Sequence, residues 1–452
     1  LNGTILGALV DRSPVRGRTG AEHPVTDHPR GQATGYGLPV TRLVRRLGTG
    51  DAVVIGLGSM IGAGVFAAFA PAARAAGAGL LIGLALAAMV AYCNATSSAR
   101  LAARYPESGG TYVYGRERLG EFWGYLAGWG FVVGKTASCA AMALTVASYT
   151  APGASRLAQS LVAAAVVLAL TALNYRGVQR SVTLTKVIVT TTLVVLAGSV
   201  AGIVIAGSPD SANLTPFPGS GADGILQSAG LLFFAFAGYA RIATLGEEVR
   251  DPERTIPRAI PIALGITLAV YAVVAVFLLL QLGPDGLAST SDPIATAIAS
   301  TSWSALTPVV RAGAALAALG SLLALVLGVS RTTFAMARDG HLPAPLAAVH
   351  PRFAVPHRAE VAVGVVVAAL VLVTDLRGAI GFSSFAVLTY YAIANASAWT
   401  LGARRVVPVV GLAGCVVLAF SLPLSSVISG VVVLAAGALA YLVLSRRDNA
   451  SS

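Results

Sequence analysis

IGLGSMIGAGVF, residues 55–66, places Gly56, Gly58, Gly62 and Gly64 inside an apolar run long enough to cross a membrane. Each glycine costs a helix about 1 kcal/mol relative to alanine, so this density predicts local unwinding. In a bilayer core the backbone groups freed by unwinding are tolerated only where protein or a wet cavity satisfies them. Such groups can themselves hold a ligand. Helix packing through the Gly58-x-x-x-Gly62 pair is the competing explanation. Working outward, FFAFAGYAR at 233–241 forms a second interrupted segment about five apolar runs later. Two interrupted segments at matching positions of two halves are the best sequence pointer to a secondary-transporter site.

The chain around them has 452 residues, 56% hydrophobic and 11% charged. Soluble domains carry about 25% charged residues, so the composition excludes an ordinary soluble fold and implies an all-α polytopic membrane protein. Twelve apolar runs of near-spanning length lie at about 51–72, 77–98, 122–150, 158–174, 182–207, 223–245, 259–282, 305–330, 359–375, 379–401, 406–422 and 424–444. Residues 1–47 are polar, basic and rich in Pro and Gly, and read as a disordered cytoplasmic tail. The opening LNGTILGALV is short and lacks a basic flank, so it makes a poor signal peptide. Residues 446–452 form a second short tail. Cys93, Cys139 and Cys415 lie within apolar runs and are odd in number, so no disulfide framework is implied.

Placing the N-terminus inside puts 26 of the 31 basic residues in inner segments, and only Arg74, Arg156, Arg311 and Arg377 in outer ones. That asymmetry predicts a plasma-membrane protein with both termini cytoplasmic. It also accounts for the net charge of +12 without nucleic acid. Three inner stretches have character of their own. ARYPESGGTYVYGRERLGE (103–121) has the mixture of an interfacial helix, GEEVRDPERTIP (246–257) concentrates charge, and SRTTFAMARDGHLP (330–343) reads as a helix ended at Asp339-Gly340. Lys186, near the inner end of the fifth run, reads as a snorkelling side chain.

GSMIGAGVF (58–66), YPESGGTYVY (105–114), FFAFAGY…EEVRDPERTIP (233–257) and SRTTFAMARDGHLP occur here in the order and spacing of the amino acid–polyamine–organocation permeases. The chain resembles a bacterial amino-acid permease of that superfamily over most of residues 48–400. The resemblance implies 12 transmembrane helices in the leucine-transporter-type (LeuT) fold, a 5+5 inverted repeat with helices 1 and 6 broken. The ten-helix core would span 48–401, with peripheral helices 11 and 12 at 402–445.

Carried onto this sequence, the resemblance implies that the unwound turn at Gly62, with the amides of Ala63 and Gly64, faces a ligand carboxylate, a half-helix N-terminus adding its positive dipole end. The Met60 carbonyl would lie at the same site. Phe234 and Ala237 match positions whose carbonyls accept the ligand ammonium, and Gly238 would permit the break. Core packing of aromatics is the competing reading, and Phe234 is the leading candidate for a gating ring. Phe131, Phe236 and Leu325 map to an apolar remainder of the pocket.

Lys135 is the one charge in the middle of a run, GWGFVVGKTASCAAM. A buried cation in lipid is a functional-site candidate by default, and in relatives this position lies beside the substrate. A titratable group there would also suit a proton carrier. No Asp or Glu occupies the centre of any run, which disfavours a cationic substrate. Glu247 and Glu248 read as a cytoplasmic gate or as solvated charge.

No nucleophile, metal cluster or carboxylate pair lies within the bilayer runs, and no Walker motif occurs, which argues against an enzyme or an ATP-driven pump. The expectation is therefore a secondary transporter for an amino acid with an uncharged side chain, possible proton coupling, no cofactor, no metal, and lipid as surroundings. Amino-acid exchange, cationic amino acid or polyamine transport, and sensing without translocation stay open. Oligomeric state is not readable.

Overall fold

The computed structural model describes residues 47–451, apart from 106–108, 178–181, 244, 246–247, 354 and 403. The basic tail expected at 1–47 lies outside the described residues, Leu47 excepted, and so does Glu247. Among the described residues every regular element is helical, as apolar runs must be where no water can satisfy the backbone.

The chain opens with α1 (Thr49–Met60), α2 (Ala63–Ala67) and α3 (Phe69–Ala76), then turns at Gly77 into α4 (Leu80–Arg104). A short α5 (Thr111–Leu119) precedes the long α6 (Glu121–Thr150), followed by α7 (Arg156–Tyr175) and α8 (Val182–Ala206). Next come α9 (Ala222–Phe236), a three-residue 3-10 turn at Ala237–Tyr239, and α10 (Ala240–Ala243). The second half continues with α11 (Pro252–Ser289), α12 (Pro293–Ala299), α13 (Thr307–Arg338), α14 (His357–Val373), α15 (Leu376–Trp399), α16 (Val406–Phe420) and α17 (Leu424–Ser451). Among the described residues ten helical stretches are long and apolar enough to cross a membrane. The runs expected ninth and eleventh, α14 and α16, are helices of 17 and 15 residues.

Packing partners recur between the halves. α4 packs on α9 as α11 packs on α1; α6 packs on α15 as α13 packs on α8; α1 meets α8 as α9 meets α15. The pairs α4–α11, α6–α13 and α7–α14 also pack on one another. Small residues line these crossings, which lets helices approach closely where lipid offers no hydrophobic drive for association. α16 and α17 lie outside, with Val406, Phe420, Leu424 and Leu439 all more than half exposed. A buried polar knot ties α16 to α4 and α15. Asn395 donates to Asn94 Oδ1 at 2.6 Å, Ser97 donates to Asn395 Oδ1 at 2.7 Å, and Cys415 donates to Asn94 at 3.3 Å. Cys93, Cys139 and Cys415 are all free and buried.

The end of α13 follows its sequence: the helix stops at Arg338, Asp339 caps it, and Gly340 takes φ 81°, a left-handed turn that glycine adopts at little cost. Lys186 does more than snorkel. Its ammonium meets Asp51 Oδ1 at 2.8 Å, joining the start of α1 to α8, because both residues lie at the same end of adjacent helices.

Candidate substrate site

The glycine-rich stretch breaks where its composition predicts. α1 ends at Met60, Ile61 and Gly62 leave helical geometry, and α2 begins at Ala63. Ala63 and Gly64 open that half-helix, so their amides have no partner within it. Met60 through Ala73 are all buried, which closes the break to solvent. Carbonyls on both sides of it are held by hydroxyls from other helices. Tyr271 of α11 donates to Met60 O at 2.6 Å and lies 3.1 Å from Ala235 O, bridging the two interrupted segments. Ser321 of α13 donates to Gly58 O at 3.3 Å, and Tyr149 of α6 donates to Phe66 O at 3.1 Å.

The second segment tightens instead of opening. A 3-10 turn at Ala237–Tyr239 separates α9 from α10, with no extended gap between them. One glycine unwinds less than four, and Gly238 serves chiefly for close approach. A Cβ built on it would overlap the Ser59 carbonyl and stand 2.8 Å from Met60 N. Gly64 faces the same crossing from the other side, where an added Cβ would stand 2.7 Å from Ala235 Cα, and a side chain on Gly62 would overlap the Ser321 hydroxyl. These glycines therefore do both things the sequence left open: they mark the break and they let its two segments touch.

Lys135 reaches this crossing. It is 6% exposed, and its Nζ donates to Ala237 O at 3.1 Å. The carbonyl matched to a ligand ammonium thus already holds an ammonium of the protein's own. Phe236 stacks against Tyr271 with ring centroids 5.2 Å apart, beside the break, and Phe234 is buried on the same helix. Phe131 instead contacts Tyr390 of α15 at 5.5 Å, and Leu325 lies part-buried on α13.

Residues 47–445 match the amino acid permease family. The chain belongs to that family. A protein of Mycobacterium tuberculosis described as an uncharacterized transporter is 68% identical over 406 residues, covering 88% of this chain and 91% of its own. The methylthioribose transporter of Bacillus subtilis is 29% identical, covering 90% of this permease and 95% of its own length. The branched-chain amino acid permease BcaP of the same organism is 28% identical over 70% of this chain and 72% of its own. This permease is accordingly an integral membrane transporter of small molecules.

Further polar clusters of the permease stand at the ends of its helices. Tyr112 of α5 donates to Asp339 Oδ2 at 2.8 Å and lies 2.9 Å from His341 Nδ1. With its one proton committed to Asp339, the hydroxyl can only accept from His341, which assigns the Nδ1–H tautomer. Burial, reinforced by Asp339, holds the Tyr112 proton well above the usual tyrosine range. Burial also pushes His341 below the ordinary histidine value, although Glu121 and Asp339 pull the other way. Glu248 pairs with Arg241 at 3.8 Å, and its carbonyl accepts from Leu47 N, so it fastens the start of α1 to the loop after α10. At the other end Asp292 pairs with Arg311 at 3.0 Å.

Tyr271, Ser321 and Tyr149 were not singled out by sequence. A tyrosine alone in an apolar run, as in LAVYAVVAV, was the available signal for Tyr271. Glu360 was missed as well. It lies in the first turn of α14, fully buried, and neither carboxylate oxygen has a hydrogen-bond partner among the described residues. Standing at the edge of an apolar run, it carries no local signal of burial.

Proposed function

We propose that this permease moves an amino acid with an uncharged side chain across the plasma membrane by alternating access, as a secondary transporter. The observation that carries the reading is the Lys135–Ala237 hydrogen bond beside the α1–α2 break. Ala237 O accepts a primary ammonium, so it suits the α-ammonium of a ligand equally well. The amides of Ala63 and Gly64 supply donors for the α-carboxylate. Met60, Gly62, Phe234, Phe236 and Gly238 shape the crossing, and by the family resemblance Phe131 and Leu325 belong to the apolar remainder of the pocket. A cationic side chain would meet Lys135 with no carboxylate nearby to replace its hydration. Because ligand and lysine compete for one carbonyl, release of the Lys135 proton links binding to pH. Glu248 and the Tyr112–Asp339–His341 cluster act as cytoplasmic gates.

The recurring packing pairs support a 5+5 inverted repeat, with α1–α3 matching α9–α10, α4 matching α11, α6 matching α13, α7 matching α14 and α8 matching α15. Counting α14 and α16 as spans gives twelve, with both termini cytoplasmic. Cysteines at exposed Ser289 and Ala344 are then expected to react from opposite sides of the membrane. The three native cysteines are buried and add little background. Labelling of both from one side would overturn the topology.

Proteoliposome uptake of labelled leucine, competed by each of the twenty amino acids, tests the function. Uncharged amino acids are expected to compete and arginine, lysine and putrescine are not. A second reading has one observation in its favour: Lys135 already fills the ammonium acceptor. On that reading the ligand has no ammonium, and neutral sugars or 2-oxo acids would compete while amino acids fail.

A further inference from the structure

We propose that the crevice where α4 and α15 end and α11 begins binds the phosphate of an anionic lipid headgroup. The crevice, about 370 Å³, is lined by Arg100, Ala103, Arg104, Pro257 and Leu401. Arg100 and Arg104 lie one helical turn apart on α4 and so share a face. Arg404 stands within electrostatic reach of Arg100. Arg118 holds the neighbouring rim, donating to Thr400 O at 2.6 Å and to Thr400 Oγ1 at 2.8 Å, next to Leu401. Among the described residues neither Arg104 nor Arg404 forms a salt bridge, and no acidic side chain lines the crevice.

Depth favours lipid over a solute. Trp399, two residues before Leu401, is 47% exposed and carries Arg405 over its ring at 5.2 Å. Exposed tryptophan marks the membrane–water boundary. Two to three turns back along α4 towards its start, Met89 and Tyr92 are about half exposed, an apolar surface suited to acyl chains. The crevice therefore combines guanidinium groups, which match phosphate in a bidentate way, with the apolar walls of Ala103, Pro257 and Leu401 at headgroup level. Orientation by charge would require basic residues on this side, but not their convergence on one apolar-walled crevice.

The test is thermal unfolding of the purified full chain in neutral detergent, titrated with phosphatidylglycerol, phosphatidylcholine or soluble glycerol phosphate. Phosphatidylglycerol is expected to raise the midpoint by several degrees, in a salt-sensitive way, and the other two are not. Arg104→Gln with Arg404→Gln is expected to remove the shift, and Arg176→Gln, elsewhere among the basic residues, to keep it. If the double variant does not fold, Arg104→Gln alone, at an exposed position, is read by native mass spectrometry as loss of a bound lipid. Equal shifts with phosphatidylcholine, or an undiminished shift in the variants, would overturn the site. Equal shifts with glycerol phosphate would overturn the lipid as its occupant.

Discussion

Gly238→Ala is expected to lower uptake to the level of empty vesicles while the protein still inserts. The added Cβ would overlap the Ser59 carbonyl and stand 2.8 Å from Met60 N. Both are backbone atoms, so no rotamer change relieves the clash, and the two interrupted segments must separate. Overpacking a well-packed core costs about 1–3 kcal/mol, and here the cost falls on the joint where Tyr271 and Lys135 meet the broken backbone. Separation by even about 1 Å can cost 100-fold in a positioned site. Gly64→Leu acts on the same joint, since its first added atom meets Ala235 Cα before it reaches any ligand. Gly198 on α8 is the control: beyond its own helix backbone, no atom lies within 4 Å of its added Cβ. Gly198→Ala is expected to keep full uptake and to stabilise the helix slightly. Size-exclusion profiles establish that each variant is folded. Parental uptake by folded Gly238→Ala would remove this crossing from the transport path.

The break in the first segment was legible because four glycines in one run leave few other readings. Lys135 stood out because a charge amid apolar residues must be buried or paired, and the stop of α13 because Asp-Gly signals one locally. What could not be read was where hydroxyls would go. Tyr271 and Met60 are 211 residues apart, and their hydrogen bond exists only because α11 packs on α1. Ser321 and Tyr149 are silent for the same reason: serine and tyrosine in a span more often bond within their own helix or pack in a core. The second segment is interrupted at Gly238 as its sequence suggests, but by a 3-10 turn that local composition does not specify. Its freed carbonyl is satisfied by Lys135, a contact across 102 residues that local composition does not encode. The salt bridges of Lys186 and Arg241 are likewise tertiary facts, visible once Asp51 and Glu248 are seen at the same helix ends.

Lys135→Gln is expected to flatten the pH dependence of uptake. In the parent, the lysine ammonium and the ligand ammonium compete for Ala237 O, so binding one excludes the other. When a single proton must leave for the ligand to bind, the apparent affinity falls about tenfold for each pH unit below the titration of that group. The parent's KM should therefore fall as pH rises, and then level off. Glutamine keeps a donor for the carbonyl but no titrating charge, so its KM should be nearly constant over the same range. Lys135→Met removes the donor as well, so the hydrogen bond that ties α6 to Ala237 O is lost inside the bilayer. It should unfold at a lower temperature than Lys135→Gln. Glu360→Gln tests a second buried titratable group, since Glu360 is fully buried and its carboxylate oxygens lack hydrogen-bond partners among the described residues. A profile flattened by Glu360→Gln and untouched by Lys135→Gln would move the coupling to α14 and leave Lys135 as the fixed partner of a freed carbonyl. Preferred uptake of arginine or putrescine by the parent would overturn the uncharged substrate, because those cations would then be binding against the lysine.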